Sequence, residues 1–297
     1  MNNIIWSIII SAYNNVNTIN KCLESIISAM KNKDLFEIII IDDCANDGTM
    51  EILKNNYEMY NFIKIIHKKE NEGLFLSRLD GIKFASGKFC TFVDADDYID
   101  IENWNKCLDI VKNKNMDITE FSFMYVYENG KKERLQKILP IKEILNATDY
   151  IVAILKGDIP TALWHRFYKR ELLLNVISYI EKVCNPYKIF KNFNVDDRFL
   201  SPVIFSFAKT YYIEDINHYN YIIFSNTSLQ KEIKFSLEKQ KNLIFFEKKY
   251  YKILENLFKI KHLNKEYKYI KYREKIILLY QFKITIKMFL KRIMVDK

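Results

Sequence analysis

Three clusters of acidic residues stand where apolar runs end: Ile38 to Asp43 reads IIIIDD, Phe89 to Asp97 reads FCTFVDADD, and Asn194 to Asp197 reads NVDD. A short, continuous apolar run bounded in this way is the pattern of a strand buried on both faces of a parallel sheet. In open α/β sheets ligands bind beyond the carboxyl ends of the strands, so acids from the first two clusters are expected to converge on one crevice. Carboxylates gathered there suit a hard cation, which would let an anionic diphosphate approach them.

The rest of the first hundred residues supports such a sheet. Trp6 to Ser11, Glu37 to Asp42, Phe62 to His67 and Phe89 to Asp94 read as strands. Helical patterns lie between them, from Thr18 to Met30 with Asn17 or Thr18 as N-cap, from Thr49 to about Asn56, and from Leu74 to Ala85, closed by a turn at Gly87. Alternation of strand and helix predicts an α/β fold, a mostly parallel sheet flanked by helices. Beyond it, Ile101 to Lys112 reads as a helix, and Asp117 to Tyr127 as a strand ending in a hairpin turn at Asn129-Gly130.

Charge divides the chain further along. Residues 231–297 carry 19 Lys and Arg against 7 Asp and Glu, whereas the preceding 230 carry 27 against 30. The predicted organisation is a domain of residues 1–230, in halves 1–115 and 116–230, followed by a basic helical region, 231–297. Lys275 to Val295 lacks acids and reads as an amphipathic helix, with Lys283, Lys287 and Lys291 on one stripe. Such a helix suits an anionic inner membrane surface, and a solvated helical face or a dimer interface fits the pattern equally. The oligomeric state stays open.

With 6 Gly and 4 Pro in 297 residues, collagen-like repeats, disorder and a many-turned β-sandwich are excluded. The five cysteines are scattered and odd in number, which predicts reduced thiols. Without a basic leader before the first strand, or an apolar run long enough to span a bilayer, the expected location is cytoplasmic, peripheral on the inner membrane face if the tail binds there.

Four blocks carry a resemblance to a known family. Ser7 to Asn14 (SIIISAYN), Ile40 to Thr49 (IIDDCANDGT), Asn71 to Arg78 (NEGLFLSR) and Phe92 to Asp97 (FVDADD) resemble, in order and spacing, the successive motifs of the inverting family 2 glycosyltransferases. The likeness is strong over residues 5–100 and weaker over 160–230, where Trp164-His-Arg166 and Asp196-Asp197 resemble acceptor-side blocks. It implies a GT-A type fold, a nucleotide-sugar donor, UDP-linked, bound by the first half, and a saccharide or lipid-linked saccharide acceptor bound by the second. The product would be a surface glycan precursor of the lipooligosaccharide, capsule or O-antigen kind.

Site residues follow from the same resemblance. Ala12 and Tyr13 would line the nucleobase pocket, one of Asp42 and Asp43 would reach the uracil or ribose, and Arg78 would point toward the nucleotide. Asp94, Ala95 and Asp96 match the DxD element that coordinates Mn²⁺ or Mg²⁺; an extended segment would aim positions 94 and 96 the same way. Asp197, with Asp196 beside it, would be the catalytic base, and Trp164, Arg166 and His218 would face the acceptor. Two departures stand out: an Asp-Asp pair replaces the usual Glu-Asp, and Ile222 follows Tyr221 where a basic residue is common.

Each residue also has a structural reading: Tyr13 and Trp164 as packing aromatics, Asp42 and Asp43 as turn acids, Arg78 as half of a salt bridge, His218 as a packed histidine. Asp96-Asp97-Tyr-Ile-Asp100 can be parsed as the DDxxD string of isoprenoid synthases, which requires a helix. A sugar nucleotidyltransferase and a non-catalytic scaffold on the same fold are the competing functions. Nucleic-acid binding is not expected, because the recognisable motifs belong to sugar transfer.

Overall fold

The computed structural model describes residues 4–134, 160–183, 185–191 and 196–224, together with residues 151, 154, 252, 254–257 and 259. The chain divides into two compact units, Met1–Phe224 and Ser225–Lys297. In the second, Glu255 pairs with Lys252 (3.1 Å) and Lys259 (3.0 Å), about one helical turn to either side. The amphipathic helix expected at 275–295 lies outside the described residues.

Along the first unit run β1 (Trp6–Ala12), α1 (Ile19–Ala29), a 3₁₀ turn (Lys33–Leu35), β2 (Phe36–Asp42), α2 (Thr49–Tyr57), β3 (Ile63–His67), α3 (Leu74–Phe84), β4 (Phe89–Asp94), β5 (Tyr98–Ile99) and α4 (Ile101–Lys114). After these come β6 (Ile118–Tyr127), β7 (Lys132–Arg134), β8 (Arg166–Lys169), α5 (Arg170–Val183), α6 (Pro186–Ile189), α7 (Asp196–Phe207) and β9 (Tyr211–Ile223). The strands form one sheet in the order β3-β2-β1-β4-β8-β6-β9-β5, with β7 on β6. The longer ladders, β1 with β2 and β4, β2 with β3, and β6 with β9, are parallel; β8 runs antiparallel between β4 and β6.

Both faces of the β1–β2 pair are covered, as the apolar runs require. Ile8, Ile10, Ile38 and Ile40 join the core that includes Cys22, Leu23 and Ile26 of α1 and Trp104, Cys107 and Val111 of α4. Ile9 and Ile41 turn the other way, toward α3, where they meet Gly81. A methyl group at Gly81 would come within 2.3 Å of the Ile9 Cγ2 atom, so α3 lies as near β1 as a helix without a side chain there allows. At the amino-terminal edge, the buried Glu37 carboxylate accepts from Ser7 Oγ (2.6 Å), Lys64 Nζ (2.8 Å) and the Ser86 hydroxyl (2.8 Å).

Thr18 is the N-cap of α1, as expected, although its side chain makes no capping bond and its hydroxyl donates to the Asn15 carbonyl (3.4 Å). Gly87 does not close α3, which ends at Phe84; its N–H donates to Ser7 Oγ (2.8 Å), against the β1 backbone. The DDxxD parse also fails, since Asp100 caps α4 by accepting from the Asn103 N–H (3.0 Å) and Tyr98–Ile99 between the acids is strand.

Overpacking a close helix–sheet contact costs roughly 1–3 kcal/mol. Gly81→Ala is therefore expected to lower the melting temperature by several degrees, and an unchanged melt would show that α3 has room to move off β1.

Candidate active site

Parallel register assembles the site. Ala12 pairs with Asp42, Asp42 with His67, and Ser11 with Asp94, so the carboxyl ends of four strands come out along one edge. Asp94 is the last residue of β4, and the chain turns immediately: the Asp97 N–H donates to the Asp94 carbonyl (3.0 Å), placing Ala95 and Asp96 in the middle of a four-residue turn. This corrects the expectation of an extended segment from 94 to 96. Asp94 and Asp96 are nonetheless the half-buried members of the turn, while Ala95 and Asp97 are buried.

A residue from far along the chain holds the turn. The Tyr219 hydroxyl accepts from the Asp94 N–H (3.0 Å) and donates to Asp97 Oδ2 (2.9 Å), while Asp97 Oδ1 accepts from the Ile222 N–H (2.7 Å). Sequence reasoning missed Asp97 and Tyr219 as members of the site. Asp97 carried a signal in its place beside the DxD element; Tyr219 carried none, one tyrosine among 20.

Arg78 crosses the site. Its Nη2 donates to Asp94 Oδ1 (2.5 Å) and its Nη1 to Asp197 Oδ1 (3.1 Å), a residue 119 positions later, in the first turn of α7. The guanidinium is buried and lies 5.8 Å from the centre of the Phe92 ring. Burial raises the Asp94 pKa, against the pull of Arg78, and the Asp197 charge adds to the rise. Burial and then the charge of Asp94 push Asp96 up to about 6. Asp97 is held well above the usual carboxylate range by burial and by the charges of Asp96 and Asp94. Asp196 begins α7.

On the β1–β2 side, Tyr13 is 47 % exposed directly after the buried Ala12. Asp42 and Asp43 are both buried, and each is engaged by protein groups. Asp42 bonds the His67 ring and accepts from the Ala45 N–H (3.1 Å). Asp43 accepts from the N–H groups of Glu72 (3.0 Å) and Gly73 (2.7 Å), which fixes the turn that starts α3. Gly73 has φ 94°, a conformation that a side chain would strain. Lys68 lies among these acids, paired with Glu72 (2.7 Å) and Asp80 (3.0 Å).

The three residues expected to face an acceptor lie in the interior instead. Trp164 is buried, stacked on Tyr219 and Tyr221 with ring centres 4.5 and 5.1 Å away. Arg166 is buried on β8, donating to Glu120, the Ala162 carbonyl and the Pro160 carbonyl (3.0 Å), a set that satisfies the charge internally. His218 packs against Trp104, Phe121 and Phe167 and is fully buried. Burial drives its pKa down to about 3, so it is a neutral core histidine.

The carboxylates of the turn fit a hard divalent cation. Asp94 and Asp96 supply oxygen donors, and both resist ionisation because their charges lie close together in a poorly solvated place. Among the described residues no three His, Cys, Asp or Glu side chains are grouped as a metal cage. A cation here would therefore complete its coordination with water or with oxygens of a bound diphosphate.

Comparisons with known proteins agree with this architecture. The family described as "Glycosyl transferase family 2" matches residues 7–177. The cholesterol galactosyltransferase of Borreliella burgdorferi is 31% identical over 179 residues, 57% of this chain and 49% of that protein. The poly(ribitol-phosphate) beta-glucosyltransferase of Bacillus spizizenii is 35% identical over 114 residues, 38% of this chain and 18% of that one. The chain thus spans about half or less of the curated relatives it matches. Crystal structures of S. aureus TarS residues 1–349 share the fold. The complex with UDP-GlcNAc has a TM-score of 0.61 at 19% identity, covering 88% of this chain and 73% of that one. For the complex with UDP the TM-score is 0.59 at 19% identity, covering 86% and 71%. The matched segment takes in β1 to β4 and the acidic turn that closes them, more than half of the chain, and on that ground this chain belongs to glycosyltransferase family 2.

Proposed function

We propose that this chain transfers a sugar from a nucleotide-sugar, UDP-linked, to a saccharide hydroxyl in the assembly of a cell-surface glycan, with inversion at the anomeric carbon. The observation that carries the reading is the meeting of Asp94 and Asp197 at one guanidinium, because a transferase needs its base close to the leaving-group site. Family membership and the names of the relatives support the reading, as does the binding of UDP and UDP-GlcNAc by TarS, which shares the fold.

In this reading the exposed ring of Tyr13 stacks on the nucleobase, and Asp43 shapes the pocket by holding the Glu72–Gly73 turn. Asp94 and Asp96 would hold Mn²⁺ or Mg²⁺, which when bound neutralises charge developing on the departing diphosphate. Asp197, half-buried at the start of α7, takes the proton of the acceptor hydroxyl as its oxygen bonds to the anomeric carbon. The bond from that carbon to the diphosphate breaks with its electron pair, and a single displacement inverts the centre. Asp196, next to it, is the alternative base. The basic region from residue 231 is proposed to hold the enzyme at an anionic membrane surface near a lipid-linked acceptor; no helix among the described residues is long and apolar enough to cross a bilayer.

A screen of nucleotide-sugars with Mn²⁺, read as nucleotide diphosphate release, tests the reading, and no release from any donor would overturn it. Asp197→Asn is expected to keep metal-dependent UDP binding while transfer falls by about two orders of magnitude or more. Unchanged transfer would move the base to Asp196. Since Asp96 must be ionised to ligate a cation and its pKa is raised to about 6, Mn²⁺-dependent UDP affinity should be level above that pH and weaken below it. The slope should approach about tenfold per pH unit. An affinity flat from pH 7 to 5 would exclude Asp96 as a ligand.

A further inference from the structure

Arg78 resembles the residue that the family aims at the nucleotide, yet its surroundings describe a different task. The side chain is 2 % exposed, its two terminal nitrogens bond carboxylates from different elements, and its Cζ lies 5.8 Å from the centre of the Phe92 ring. Its backbone is fixed at both ends of α3, by the Asp43 bonds to the Glu72–Gly73 turn and by the Gly81 contact with Ile9. We infer that Arg78 is a positioning residue for Asp197, setting the base at a fixed distance from the metal-side Asp94, and that it acts on the reaction through Asp197 rather than by contact with the nucleotide. The inference rests on the proposed role of Asp197 as base.

Two like charges facing each other across a poorly solvated gap repel, and a buried cation between them turns that repulsion into a clamp. A forked, planar guanidinium can bond two carboxylates at once in a defined geometry, whereas an ammonium is a point charge on a flexible stem. The clamp also competes with any cation for Asp94. Removing Arg78 should therefore not weaken metal binding at Asp94, the opposite of what loss of a nucleotide contact would do.

The test uses the full chain as wild type, Arg78→Lys, Arg78→Met, Asp197→Asn and the Arg78→Met/Asp197→Asn double variant. UDP binding is measured calorimetrically with Mn²⁺. Turnover is followed as UDP release from whichever of UDP-glucose, UDP-galactose and UDP-GlcNAc the wild type consumes fastest. For Arg78→Met the expected result is UDP affinity within about threefold of wild type or tighter, an unaltered donor KM, and kcat lower by about thirtyfold or more. Arg78→Lys should recover part of kcat, and the double variant should be about as slow as Asp197→Asn alone, because the two residues act as one unit.

A tenfold or greater loss of UDP affinity with kcat retained would overturn the inference, as would full additivity in the double variant. If Arg78→Met does not fold, Arg78→Lys gives the same division between affinity and kcat. Absence of turnover in the wild type would count against the proposed reaction itself, while the UDP affinity of the Arg78 variants would still decide whether this side chain touches the nucleotide.

Discussion

The in-register parallel pairing of β1 with β2 and β4 is the constraint on which the remainder depends. Because Ala12 sits beside Asp42 and Ser11 beside Asp94, acids that belong to different strands leave the sheet at one level. A slip of one residue in the β1–β2 ladder would part Ser7 from the buried Glu37 and Ile9 from Gly81, contacts that mark a register which isoleucines on both faces leave unmarked. Contacts at the far edge and under α3 thus set the separation of acids that take no part in them.

On that platform the protein places its charges unevenly. Glu37, at the amino-terminal edge, is satisfied by hydroxyl, ammonium and backbone donors, which together hold its carboxyl below the usual range despite burial. At the opposite edge Asp94, Asp96 and Asp97 all sit above it. The two groups of acids lie at opposite ends of the parallel strands, and they differ in the donors the fold supplies and in the like charges beside them. One edge is a closed structural joint, and the other has carboxylate capacity left for a ligand.

Much of the fold was readable because it is written locally. Strands buried on both faces leave continuous runs such as Ile38 to Ile41, and the helices between them show their one-sided apolar pattern in Cys22, Leu23 and Ile26. The site was readable only where it shares those runs. That Arg78 would lie between Asp94 and Asp197, or that Tyr219 would bind the turn at Asp94, depends on contacts between distant segments that carry no local signature. Trp164, Arg166 and His218 are buried, and residue type alone does not separate a sugar-facing aromatic or cation from a core one. Glu120 on β6 neutralises Arg166, and nothing near residue 166 announces that partner. The turn after β4 has no signature of its own, because alternation of side chains along a strand does not mark where its ladder ends.

The raised acids at the end of β4 bear on more than chemistry. Carboxylates that hold their protons more tightly in the folded chain than in the unfolded one favour folding at low pH and oppose it as they ionise. A cation seated among them would lift that penalty, so a charged occupant and the fold reinforce each other. The acidic turn therefore makes resistance to heat a report on occupancy, by which candidate ions and donors can be ranked before any product has been identified.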